Sequence, residues 1–197
     1  MEKSNDLRVI RTKQLIRDAL LTLIKEVGLE NITVKKLTEC AQINRSTFYA
    51  HFYDKYDLLE STINDELLSF VEEAAPKSEE ELIATHYPKA FYLRAAQYIY
   101  QRADFFKIMM GENGIPSFQQ QLLQIMKKYM AERLEKFHPQ LDKMEIPKEF
   151  FISYVAHANI GVISYWLESG MQYSPQYVAE KMSNMTVEGP LSVAGIK

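Results

Sequence analysis

The chain has 197 residues, an ordinary apolar share of 47%, seven glycines, seven prolines and one cysteine. With Cys40 alone, no intrachain disulfide can form and metal sites built on several cysteines are excluded, which suits a reduced, cytoplasmic compartment. The formal net charge of −3 is uneven: residues 1–56 hold ten Lys/Arg against seven Asp/Glu, and the remainder thirteen against nineteen. A basic front on an acidic body suits a molecule that touches phosphate with one end, although a short chain also reaches such a swing by chance. No membrane span is expected, because no apolar run is read as approaching the roughly 18–20 uncharged residues a bilayer needs. Met1 to Arg11 carry no apolar signal-peptide core.

Helical periodicity runs through the whole chain, with no sustained strand-type alternation. A first helix is expected from Leu7 to Val27, its apolar stripe formed by Leu15, Ile16, Ala19, Leu20, Leu23, Ile24 and Val27, with Gly28 as its stop. Thr33 is placed to cap a second helix, Val34 to Ala41. Gln42-Ile43-Asn44 form a tight connection, and Asn44 is placed to cap a third helix, Arg45 to Phe52. Asp54 opens a fourth, carrying Leu58, Leu59, Ile63, Leu67, Phe70 and Val71. A charged linker, Glu72 to Glu81, follows. Helix resumes from Pro88 to Met110, breaks at Gly111 to Pro116, and resumes to about His138. After a loop at Asp142 to Pro147, a long helix spans Lys148 to Ser169 and stops at Gly170. Ser174-Pro175 starts a last helix of about ten residues. Val187 to Lys197 reads as coil.

Two short helices joined by a three-residue turn, residues 33–52, have the helix-turn-helix shape, whose second helix enters the DNA major groove. Phe48 and Phe52, four apart, would pin that helix inward and leave Ser46, Thr47, Tyr49 and Ala50 outward. Small and hydroxylated residues there allow close approach to base edges. Arg45 lies nearer the inward edge by helix angle, so its claim rests on its length and its place in the first turn. Lys35, Lys36, His51 and Lys55 are candidates for the DNA backbone. Read without context, the aromatics could equally be a core turn and the cations a solvated face. Cys40 reads as a small core residue rather than a reactive thiol.

The run Ile43-Asn-Arg-Ser-Thr-Phe-Tyr-Ala-His-Phe-Tyr-Asp-Lys-Tyr-Asp-Leu-Leu59 resembles the signature of TetR-family regulators. The helix ending at Gly28, then Ile32-Thr-Val and Leu37, extends the likeness over residues 10–60. The resemblance implies an all-α fold: an N-terminal helix-turn-helix domain, residues 1–60, joined to a helical dimerisation and effector domain, residues 61–197. It implies that Thr33, Arg45, Thr47, Tyr49, His51 and Lys55 meet DNA, with Thr33, His51 and Lys55 on phosphates. Ser46 stands where the family often has glycine, and Asp57 where glutamate is common.

In the body, helix 148–169 is apolar almost all round and needs cover on more than one side. A partner subunit would supply it, with Phe151, Val155, Ala158, Gly161, Val162, Tyr165, Trp166 and, from the last helix, Tyr177 at the interface. A core helix within a single chain is the alternative. The two-fold would present two reading helices to a palindromic duplex operator. The segments Asp104-Phe-Phe-Lys, Gly111 to Ser117, Tyr165 to Met171 and Ser174-Pro175 resemble the C-terminal subtype that includes dihydroxyacetone-kinase operon regulators. An effector pocket could be lined by Phe91, Tyr98, Phe105, Met109, Met126 and His157, although such a set is more often plain core. No nucleophile–base pair, phosphate loop or metal spacing is present, so neither an enzyme nor a cofactor or metal is expected. The expected function is a DNA-binding repressor released by an unknown effector. The alternative is a regulator controlled by a protein partner, or an activator.

Overall fold

The computed structural model describes residues 2–75, 87–111, 114–137 and 144–196. It forms two compact units, Met1–Glu66 with Ile108–Ile115, and Leu67–Lys107 with Pro116–Lys197. Among the described residues the regular structure is helical, with no strand. Most of the expected linker, residues 76–86, lies outside them.

In the first unit, α1 (Glu2–Val27) is followed by a 3-10 turn (Leu29–Asn31), α2 (Val34–Cys40), α3 (Arg45–Tyr49) and the first part of α4 (Lys55–Ala74). Ile16, Ala19, Leu20, Leu23 and Ile24 of α1 are buried with Leu37, Phe48, Phe52 and Leu58. Leu15 and Val27, expected in the same stripe, are exposed. Gly28 ends α1 with φ 72°, a conformation that costs a residue with a Cβ about 1 kcal/mol or more. Cys40 is exposed rather than buried, because it occupies the last turn of α2, one residue before inward-facing Ala41.

The second unit holds the end of α4, then α5 (Tyr87–Gln101), most of α6 (Ala103–Met110), α7 (Pro116–Phe137), α8 (Lys148–Glu168), α9 (Pro175–Glu188) and α10 (Pro190–Val193). The expected single helix over 88–110 is two, separated at Arg102. The expected C-terminal coil contains α10, which Gly189 (φ 88°) and Pro190 at its first position start afresh. Phe70, Tyr98, Phe105, Phe106 and Phe118 form an aromatic core with ring centroids 5.5–6.4 Å apart in edge-to-face geometry. Such pairs add about 0.5–1.5 kcal/mol each beyond area burial.

Helix α8 corrects the expectation about apolar runs. Residues 150–167 carry no Asp, Glu, Lys or Arg, and the helix is long and apolar enough, by length and composition, to cross a membrane. It is two-faced in the fold. Ile152, Val155, Ala156, Asn159, Ile163, Trp166 and Leu167 are buried, while Phe150, Tyr154, Ala158, Gly161 and Tyr165 are exposed.

Candidate nucleic-acid interface

The turn between α2 and α3 is fixed by backbone bonds. Ile43 N donates to Thr38 O at 3.0 Å and Gln42 N to Glu39 O at 3.3 Å, the paired bonds of a Schellman end. Gln42 sits at its left-handed position with φ 54°. Thr33 caps α2, its Oγ1 accepting from Lys36 N at 3.2 Å. Asn44 stands at the N-cap of α3 without a side-chain cap bond, contrary to expectation. Its carbonyl instead accepts from Thr47 N and Phe48 N. Asp54 Oδ1 accepts from Tyr56 N and Asp57 N, and Asp57 Oδ2 accepts from Tyr53 N at 2.7 Å. This reciprocal cap locks the path from α3 into α4.

Phe48 and Phe52 are buried, as the spacing predicts, and hold a five-residue helix that would not stand alone. Arg45, Ser46, Tyr49 and Ala50 are exposed, and Thr47 and His51 are half-buried. Arg45 does not fold inward. Its guanidinium lies 5.5 Å from the Tyr49 ring centroid, and one nitrogen donates to the Tyr49 hydroxyl at 3.2 Å. Lys35 is exposed and loosely paired with Glu39 at 3.8 Å.

Lys55 is a correction. Its Nζ donates to the carbonyls of Leu29, Glu30 and Ile32 at 3.0, 3.1 and 3.0 Å. An ammonium has three donors, so all three are engaged within the protein here, where a free phosphate grip was expected. Two features were not singled out from sequence. Arg17 on α1 pairs with Asp65 and donates to Ser61 at 3.3 Å, tying α1 to α4. Tyr53 presents a ring that is 83% exposed beside the cap of α4. Its only sequence signal is a large aromatic at a turn.

The effector candidates occupy different settings. Tyr98 and Phe105 fill the aromatic core, and Phe91 stacks on Tyr129 at 5.0 Å. Met126 is buried. Met109 belongs to the 108–115 segment of the first unit. His157 is exposed, with Nδ1 2.7 Å from Ser153 O. A recess of about 400 Å³ in the second unit takes Tyr98 alone from that set and is otherwise polar, with Ser69, Glu73, Arg94 and Arg102 among its lining. Of the interface candidates, Val155 and Trp166 face the protomer's own core, Trp166 being 1% exposed and donating from Nε1 to Tyr173 O at 2.9 Å. Ala158, Gly161, Tyr165 and Tyr177 are exposed, and Phe151 and Val162 half-buried. Among the described residues no His, Cys, Asp or Glu group could hold a metal ion.

Residues 16–62 match the family model for bacterial regulatory proteins of the tetR family, and residues 86–188 match a model for a transcriptional regulator C-terminal region. The chain belongs to the TetR family. A curated relative in Bacillus subtilis strain 168, the uncharacterized HTH-type transcriptional regulator YxbF, is 22% identical over 173 residues. That match covers 85% of this chain and 42% of the relative, so the chain spans less than half of that protein. The fold is similar to a TetR transcriptional regulator from Streptococcus agalactiae 2603V, with TM-score 0.70, 19% identity, and 94% and 99% of the two chains covered. It is also similar to the dihydroxyacetone kinase operon activator DhaS, with TM-score 0.62, 18% identity, and 95% and 99% covered. TetR-family proteins are DNA-binding regulators rather than enzymes, and α2 and α3 occupy the matched N-terminal region.

Proposed function

We propose that the protein is a dimeric, cytoplasmic, operator-binding regulator that represses transcription until an effector binds its body. The observation that carries the DNA reading is the exposed row Arg45, Ser46, Tyr49 and Ala50, with half-buried Thr47 beside it, over the buried Phe48 and Phe52. A rigid two-helix unit with a small-residue outer face fits the major groove, and exposed Thr33 and Lys35, with half-buried His51, are where we expect phosphates to pass. Residues 1–60 would form the reading head and 61–197 the dimerisation and control body.

The exposed apolar face of α8 supports a second copy as the partner, since Phe150, Tyr154 and Tyr165 on one helix leave a patch that a lone protomer does not cover. An effector acts only through its preference for one of two head spacings. A second reading keeps the DNA site and replaces small-molecule release by activation or a protein signal. It is favoured by the mostly polar lining of the recess beside Tyr98, and one fold neighbour is itself named an operon activator.

The test is selection of bound sites from random duplex DNA with the purified full chain, then salt titration of the winner. An enriched palindrome whose affinity falls steeply with salt is expected. No enrichment, together with salt-insensitive binding, would remove the regulator reading. Tight binding by the effector-free protein would favour release over recruitment.

A further inference from the structure

Arg45 and Tyr49 sit one helical turn apart on α3, separated by roughly 40° around the axis. Among the described residues no carboxylate pairs with Arg45, in contrast to Arg17, which is held by Asp65. The recorded partner of its guanidinium is Tyr49, through both the ring face and the hydroxyl. The contact settles the direction that helix angle alone leaves open. The tyrosine draws the guanidinium away from the buried side and toward the row formed by Ser46 and Ala50.

We propose that Arg45, braced by Tyr49, reads a guanine in each operator half-site. The inference rests on the DNA-binding reading of α3 and deepens it. A guanidinium carries five N–H donors in a planar fork. One is engaged by the Tyr49 hydroxyl, which leaves the other edge for a bidentate contact. Guanine offers two acceptors side by side, N7 and O6, in the major groove. Adenine puts a donor beside its acceptor, and cytosine presents a donor. Only the guanine edge matches the fork at both positions. The tyrosine fixes the plane of the guanidinium before contact, so less side-chain freedom is lost on binding. Tyr49 is therefore a positioning residue as well as a groove-facing one. Ser46 and Ala50 are small and let the pair approach the base edge.

The experiment repeats the duplex selection with the full-length wild type, Arg45→Lys, Arg45→Ala and Tyr49→Phe, each checked by thermal melting. Wild type should enrich guanine at one position, mirrored across the palindrome. Arg45→Ala should lose that preference, a change of about tenfold or more against other bases. Arg45→Lys keeps the charge and not the fork, so it should lose the same preference while its salt slope holds. Tyr49→Phe should blunt the same position by a smaller factor and leave the others intact. A uniform loss of affinity in Arg45→Ala, with an unchanged base profile and a salt slope smaller by about one, would mean a phosphate contact. That result overturns this inference and leaves the regulator reading standing. An unchanged profile in Tyr49→Phe overturns the brace. If wild type enriches nothing and binds without salt dependence, both readings fall together.

Discussion

A lysine at the start of a helix beside a DNA-reading unit offers a positive charge next to free backbone N–H groups, and in a sequence that reads as a phosphate grip. In the fold each of the three Lys55 donors meets a carbonyl of the turn before α2. Nothing local predicts this, because the acceptors lie 23 to 26 residues upstream. The consequence is measurable. Lys55→Met should lower stability by about 1–3 kcal/mol, since it strips three carbonyls of a charged donor. Operator affinity should fall as the α2 turn loosens. The slope of log affinity against log salt should stay the same, whereas loss of a phosphate contact would reduce it by about one. Denaturant melts and a salt series on one operator separate the two roles. Which side of α3 faces outward was legible, because a buried Phe48 and Phe52 fix which faces of a short helix remain outside.

At the scale of elements, starts and stops follow from single residues that satisfy orphan backbone groups. Thr33, Asp54 with Asp57, and Ser174 with Pro175 all cap as their chemistry predicts. The division at Arg102 left no mark, because neither glycine nor proline accompanies it and the apolar period continues through Phe105 and Met109. Packing imposes it. The α2–α3 turn carries a removable strain: Gln42 holds a left-handed conformation and is exposed. Gln42→Gly should therefore gain about 0.5–1 kcal/mol in a urea melt, and a loss would show that the glutamine side chain holds the turn. Farther along, Asn159 Nδ2 donates to the Tyr92 hydroxyl at 2.9 Å, and the Tyr92 and Thr186 hydroxyls are 2.9 Å apart. Thr186 gives its own proton to Met182 O, so Tyr92 must donate to Thr186. Burial raises the Tyr92 phenol above its usual range, with the Thr186 and Asn159 bonds opposing. A raised folded value means that this contribution is complete below the unfolded phenol value and lost as pH rises through the folded one. Tyr92→Phe should cost about 1–3 kcal/mol at pH 7, because the Asn159 amide loses its acceptor. The gap to wild type should shrink above about pH 10. A pH-independent gap in denaturant melts would mean that phenol ionisation contributes nothing.

At the scale of the molecule, the sequence marked α8 as a helix in need of cover but could not say which face its own protomer covers. A helix apolar on all sides has no phase to read, so its pattern offers Val155 and Trp166 to an interface although both point into the core. The exposed face that remains runs through Tyr154, Ala158, Gly161 and Tyr165, with Gly161 at a place where an added Cβ would meet nothing within 4 Å. Within one chain, exposed Gly161 has room for an added Cβ, so Gly161→Leu should leave the fold intact. It should even strengthen the helix, since leucine is favoured over glycine by roughly 0.8 kcal/mol in a helix interior. Between two protomers it is not harmless. Helix axes at a close crossing lie about 8–10 Å apart, set by the side chains at the contact, and across a two-fold each leucine acts in both copies. If this face pairs two copies as proposed, sedimentation should show the wild type at twice the mass of one chain and the variant at the mass of a single chain under the same conditions. Its melting curve should remain cooperative, and operator binding should lose at least tenfold as the two heads separate. A wild-type dimer mass in the leucine variant would place the crossing elsewhere on α8, and the aromatic positions Tyr154 and Tyr165 would then be the ones to replace with charge.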